Sequence, residues 1–204
     1  MIPRTDFQIH EIFMQTFFFP EEYGADRSQF DKDAAEFMGF FKQHEEKILQ
    51  IIEKFSGFDW SKEKIPVFVV PNNSMISYSY TKFDLQDGLP GVVQKIFRNQ
   101  QRNLHIFIHE LAHVNQRHAD FYDRKYKTLD EEGNRNVDLV EVCADIVCLY
   151  VIREIFSGNS EYERDMFDFL QNTGMKNKRK YAELEKSLTQ WDLYKNPLKF
   201  YIAK

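Results

Sequence analysis

The apolar positions of this chain change period several times, and each change marks an element. Over residues 28–56, Phe30, Phe37, Phe41, Ile48, Ile51, Ile52 and Phe55 recur at spacings that mostly share one helical face, and Gly57 follows as a stop. The stretches PVFVV at 66–70 and MISYSY at 75–80 are short and rich in β-branched or aromatic residues, with PNNS between them, so they predict two strands around a turn. GVVQKIF at 91–97, after the breaker DGLPG, fits either a third strand or the run into the next helix. The pattern is helical from about 99 to 119. Residues 137–152 are apolar at almost every position except Asp138, Glu141 and Asp145, which predicts a buried helix. Two further helices are expected at 160–172 and 177–193 around Gly174, with PLKFYIAK closing the chain as a strand or tail.

Composition narrows the class. A chain of 204 residues suits a single domain over 1–204, divided into an N-terminal helical segment (about 1–60), a sheet with two buried helices (61–155) and C-terminal helices (156–204). The 20 phenylalanines point to an aromatic-rich core. A formal charge of −5 argues against a nucleic-acid partner, which needs a concentrated basic face; the one basic run is KNKRK at 176–180. The first residues carry acidic and polar groups where a signal peptide has its apolar region, and no apolar run approaches a membrane span of about 20 residues. Cys143 and Cys148 lie five apart on one predicted helix and cannot meet. Free thiols fit a reducing compartment, so the expected location is the cytoplasm.

The candidate chemistry lies in residues 105–118, HIFIHELAHVNQRH, which hold four of the chain's six histidines. His109, Glu110 and His113 form H-E-x-x-H. On a helix the two imidazoles share a face and can reach one ion, while Glu110 projects beside it. A catalytic zinc needs a third protein ligand and an open fourth position. His118 does not supply it in the H-E-x-x-H-x-x-G-x-x-H manner, because Gln116 stands at the glycine position and Ala119 at the histidine position. His105 stacks on the same helix and cannot help to wrap a tetrahedral ion; it reads as a neighbour of the site or a core histidine.

A carboxylate remains. Glu141 and Asp145 sit i and i+4 on the apolar helix, and two acids on one buried stripe call for a cation unless they face solvent or pair with lysine or arginine. The expectation is that Glu141 ligates the metal and Asp145 accepts a hydrogen bond from the distal ring nitrogen of a ligand histidine. Ala144 between them allows close helix packing. Asp138, Glu131 and Glu132 are weaker candidates near a helix start, where acids are favoured anyway.

These residues resemble the gluzincins, zinc peptidases in which H-E-x-x-H is joined by a glutamate from a downstream helix. EVCAD at 141–145 is similar to the E-x-x-A-D form of the CAAX prenyl protease and HtpX group, and the ImmA/IrrE-type peptidases carry a related helix. The likeness covers residues 105–150. It implies an α+β, zincin-like fold: a small twisted sheet, here from strands near 66–80, before the H-E-x-x-H helix, and a mainly helical C-terminal part. The prenyl protease and HtpX groups are membrane-embedded and this chain has no predicted span, so their substrates do not carry over. HELAH also lacks the glycine common in ImmA-type proteins.

The expected function is a zinc-dependent metallopeptidase acting on a protein or peptide, with one Zn²⁺ per chain held by His109, His113 and Glu141 and Glu110 as general base toward an activated water. His118, Tyr122, Tyr126 and Tyr150 are all candidate oxyanion donors, and spacing does not choose among them. An edge strand such as ISYSY suits an extended peptide. The alternative is a zinc-binding regulatory or interaction protein with little or highly restricted turnover. Specificity and oligomeric state are not legible.

Overall fold

A computed structural model describes residues 1–9, 20–71, 80–86, 89–118, 137–156 and 193–199, with the backbone alone described at 20–26, 80–86, 118 and 137–139. Along the chain run β1 (Arg4–Ile9), α1 (Pro20–Ser56), β2 (Lys64–Pro71), β3 (Tyr80–Gln86), β4 (Leu89–Ile96), α2 (Gln100–His118) and α3 (Val137–Ile155). The fold is α+β. The strands form one sheet in the order β1-β2-β4-β3, in which β1, β2 and β4 are parallel and β3 is antiparallel to β4.

Register explains which residues face the helices. Thr5, Phe7 and Ile9 pair with Ile65, Val67 and Val69, and Val67 pairs with Val92, so these side chains line one face of the pleat. That face closes the main core with Phe37, Phe41, Ile48, Ile52 and Phe55 of α1 and the apolar sides of α2 and α3. The central strand β2, KIPVFVVP, is buried on both faces, which is why it reads as an unbroken apolar run rather than an alternation.

The described elements refine the expectations at three places. The segment before residue 60 is not wholly helical, because residues 4–9 form β1; their alternation of Thr5, Phe7 and Ile9 with Arg4, Asp6 and Gln8 has the period of a strand. The strand expected at 75–80 overlaps the described residues only at Tyr80, where β3 begins and continues to Gln86; 75–79 lie outside them. Of the two alternatives for 91–97, the strand holds as far as Ile96, and β4 opens at Leu89 within the predicted breaker. The helices expected at 160–172 and 177–193 lie outside the described residues apart from Leu193, which is in a turn. Of PLKFYIAK, Leu198 and Lys199 are helical.

Local chemistry fixes where α2 starts and what it leans on. Asn99 caps it, its Oδ1 accepting from the Arg102 amide at 3.0 Å. The Asn103 amide pairs with both backbone groups of Phe97, accepting at 2.7 Å and donating at 2.8 Å, and so ties the end of β4 to the helix. Phe107 packs edge-on against Phe37 and Phe41 of α1, and Phe7 of β1 joins the same cluster. Lower on α2, Asn115 donates to the Phe58 carbonyl and accepts from Ser56 Oγ, which anchors it to the end of α1. That end closes at Gly57, whose φ of 73° is left-handed; a Cβ there would come within 2.8 Å of Pro197. Among the described residues no helix is long and apolar enough to cross a membrane.

Candidate metal centre

Helices α2 and α3 run antiparallel along a shared seam, and the seam carries the polar residues of both. Moving down α2, His105 meets Cys148, His109 meets Asp145, His113 meets Glu141 and Gln116 meets Val140. Ala112 and Ala144 are fully buried, so small side chains allow the close approach expected from the sequence. The Cys148 thiol donates to the His105 carbonyl at 3.4 Å, direct contact between one helix's side chain and the other's backbone.

At the middle of the seam His109 Nε2, His113 Nε2 and Glu141 Oε2 form a triangle with sides of 3.0, 3.2 and 3.3 Å. Ligands about 2.0–2.1 Å from a tetrahedral ion stand about 3.3 Å apart, so the donor spacing suits one small cation. These three residues form a group able to hold a metal ion. Two imidazoles and a carboxylate suit borderline divalent metals. The His109 and Glu141 side chains keep 17% and 23% of their surface exposed, whereas His113 and Asp145 keep 5% each, so the triangle opens to one side.

The outer ring nitrogens face away from the triangle. His109 Nδ1 lies 2.7 Å from Asp145 Oδ1, so the ring donates there and turns its Nε2 lone pair inward. This is the place expected for Asp145. His113 Nδ1 lies 3.3 Å from Gln116 Oε1. In the sequence Gln116 stands out only as the residue at the glycine position of the longer histidine motif. Its spacing of three from His113 on one helix was the available signal for its contact with that ring.

Charge at the seam follows from this geometry. Burial pushes His109 down, but the Asp145 and Glu141 carboxylates outweigh it and hold the imidazole well above the ordinary histidine range. Burial likewise pushes Glu141 up, and His113 and His109 more than offset it, driving the carboxyl well below its usual range. The Cys148 thiol is pushed well up, first by burial and then by Asp145, and it lies outside the three-residue group.

Glu110 is buried on the turn of α2 that carries both histidines. His105 is buried one turn earlier and is outside the three-residue group. Tyr150, one of the candidate oxyanion donors, packs against Phe55 and Tyr194 with ring centroids at 4.8 and 5.2 Å. Nine residues of helix place it about 13 Å along α3 from Glu141, on the opposite side. Tyr122, Tyr126, Glu131 and Glu132 lie outside the described residues, as do the side chains of His118 and Asp138. Comparison with known proteins gives no match to a family model, a curated protein or a solved structure.

Proposed function

We propose that the chain is a zinc-dependent metallopeptidase of zincin-like build, with His109, His113 and Glu141 holding one Zn²⁺. The observation that carries this reading is the triangle of three inward-facing donor atoms, 3.0 to 3.3 Å apart, beside a buried glutamate that is not part of it. Zinc bound there supplies a Lewis acid that polarises a carbonyl and acidifies water. Glu110 takes the proton of the attacking water and passes it to the leaving amine. Asp145 keeps the His109 proton on Nδ1, so that Nε2 remains a donor to the metal.

Three protein ligands among the described residues suit turnover better than a structural role, for which four closed ligands are usual. Cys143 and Cys148, the thiolates a structural site would use, are both buried outside the group. The substrate is a protein or peptide. β3 stands at the edge of the sheet, where an extended chain can add by backbone hydrogen bonds.

The test is Glu110→Gln. Metal content by mass spectrometry on zinc-reconstituted protein stays at one per chain, while cleavage of unfolded proteins and peptide libraries falls by at least about 100-fold. An active, zinc-loaded variant removes the general-base role. A parent that binds zinc but cleaves nothing shifts the reading to a regulatory zinc protein.

A further inference from the structure

The two ligand imidazoles are oriented by different means, and the second means is built from both helices. Gln116 is fully buried, and its amide lies between two fixed groups. Its Nε2 points at the Val140 carbonyl of α3 at 3.5 Å, and its Oε1 points at His113 Nδ1 at 3.3 Å. Both contacts are at the long end of the hydrogen-bond range, but their directions are set by what each partner can do. A backbone carbonyl only accepts, so the amide must turn its NH₂ toward Val140. The opposite flip would set two oxygens against each other, which is costly in a buried site. The carbonyl oxygen of Gln116 then faces His113, and that contact is favourable only when Nδ1 carries the proton.

We propose that Gln116 is a positioning residue for His113: through the Val140 carbonyl it holds the imidazole proton on Nδ1 and the Nε2 lone pair toward Glu141. The inference rests on the reading that His109, His113 and Glu141 hold a metal. It adds that the third-ligand helix contributes twice, once through Glu141 and once through the backbone of the residue before it. Val140 and Glu141 are adjacent, so a displacement of α3 that withdrew the carboxylate would also release the amide that sets the His113 tautomer. Ligand supply and ligand orientation are thereby coupled.

The experiment has two readouts besides activity. Long-range ¹H–¹⁵N correlation spectra of the zinc-loaded parent report which ring nitrogen of His113 carries the proton. The Nδ1–H tautomer is expected, and a dominant Nε2–H tautomer overturns the inference without any variant. Zinc dissociation constants, from competition with a chromophoric chelator, are then compared for the parent, Gln116→Met and Gln116→Glu. Methionine keeps the length but offers no comparable acceptor, and affinity should fall about 10- to 100-fold. Glutamate keeps an oxygen for Nδ1–H but sets its other oxygen against the Val140 carbonyl, so affinity should fall, by less than in the methionine variant. Equal affinity for parent and methionine variant overturns the inference, as does an equal loss in both variants. If the parent binds no zinc, the metal reading itself fails; if it binds zinc and the methionine variant binds it equally well, only the role of Gln116 fails.

Discussion

Two polar clusters of this molecule are built from residues one helical turn apart and end in opposite states. On α1, Lys42 and Glu45 are one turn apart and reach the outer edge of β1: Glu45 Oε1 accepts from the Thr5 amide and hydroxyl, and Lys42 Nζ donates to the Thr5 carbonyl at 2.6 Å and to Glu45 at 3.0 Å. Every donor there meets an acceptor, which also blunts the sheet edge against further pairing. On α2 and α3, His109, His113 and Glu141 converge instead with their metal-ligating atoms inward, because each histidine's other ring nitrogen faces an oxygen of Asp145 or Gln116. Helical period alone puts residues together. Whether the assembled set is donor-balanced or all acceptors decides whether it is finished or calls for a cation.

The sharpest way to break the comparison is to take one corner from the triangle. Glu141→Ala leaves two imidazoles on one helix, and zinc affinity should fall by more than about 100-fold, beyond the range of orienting partners. Chelator-dependent thermal unfolding checks it: the parent gains about 2.7 kcal/mol at zinc a hundredfold above its dissociation constant, and the variant gains almost none at that concentration. A variant that kept the parent's zinc-dependent shift would mean that a different residue is the third ligand.

Asp145→Asn comes next. It keeps an acceptor for His109 Nδ1–H but removes the charge, so zinc affinity should fall about 10- to 100-fold with the fold intact. The sign of the pH dependence follows from the same contact. The His109 imidazole is held above its ordinary range, so below that raised value it carries a proton that zinc must displace. Zinc affinity should therefore rise with pH through that range, with proton release measurable by calorimetry in buffers of different ionisation heat. In Asp145→Asn the rise should begin at lower pH. Parallel pH curves for parent and variant would show that Asp145 does not set the His109 charge.

The seam was legible in the sequence and the sheet much less so, for a physical reason. His109, His113, Glu141 and Asp145 lie in helices whose sides are set by local periodicity, and acids in an apolar helix are conspicuous against the cost of burying them. β1 owes its state to pairing with β2 across the whole of α1, and its residues RTDFQI give only a short alternation. β3 pairs with β4 through an irregular register, and its polar residues gave no run to detect. Gln116 was missed because an amide on a helix means little until Val140 of another helix orients it. Residue type alone does not rank Tyr150 among candidate donors, whereas nine residues of α-helix carry its side chain to the other side of the cylinder from Glu141.

The edge cluster supplies the reverse test, since altering it should change stability and leave the metal alone. Glu45→Ala strands the buried Thr5 hydroxyl and its amide, which should cost about 1–3 kcal/mol in denaturant unfolding with zinc affinity unchanged. Lys42→Met should cost less, under about 1 kcal/mol. Its side chain is 43% exposed, its ion pair with Glu45 is screened, and the methionine keeps an apolar stem where Lys42 lies 5.5 Å from the Phe7 ring. The order of the two losses is the informative result. A larger loss for Lys42→Met would mean that the cation, not the carboxylate, completes the edge, and the account of a donor-balanced cluster centred on Glu45 would be wrong. A fall in zinc affinity in either variant would mean that the edge of β1 and the α2–α3 seam are coupled through the Phe7–Phe41–Phe107 cluster that lies between them.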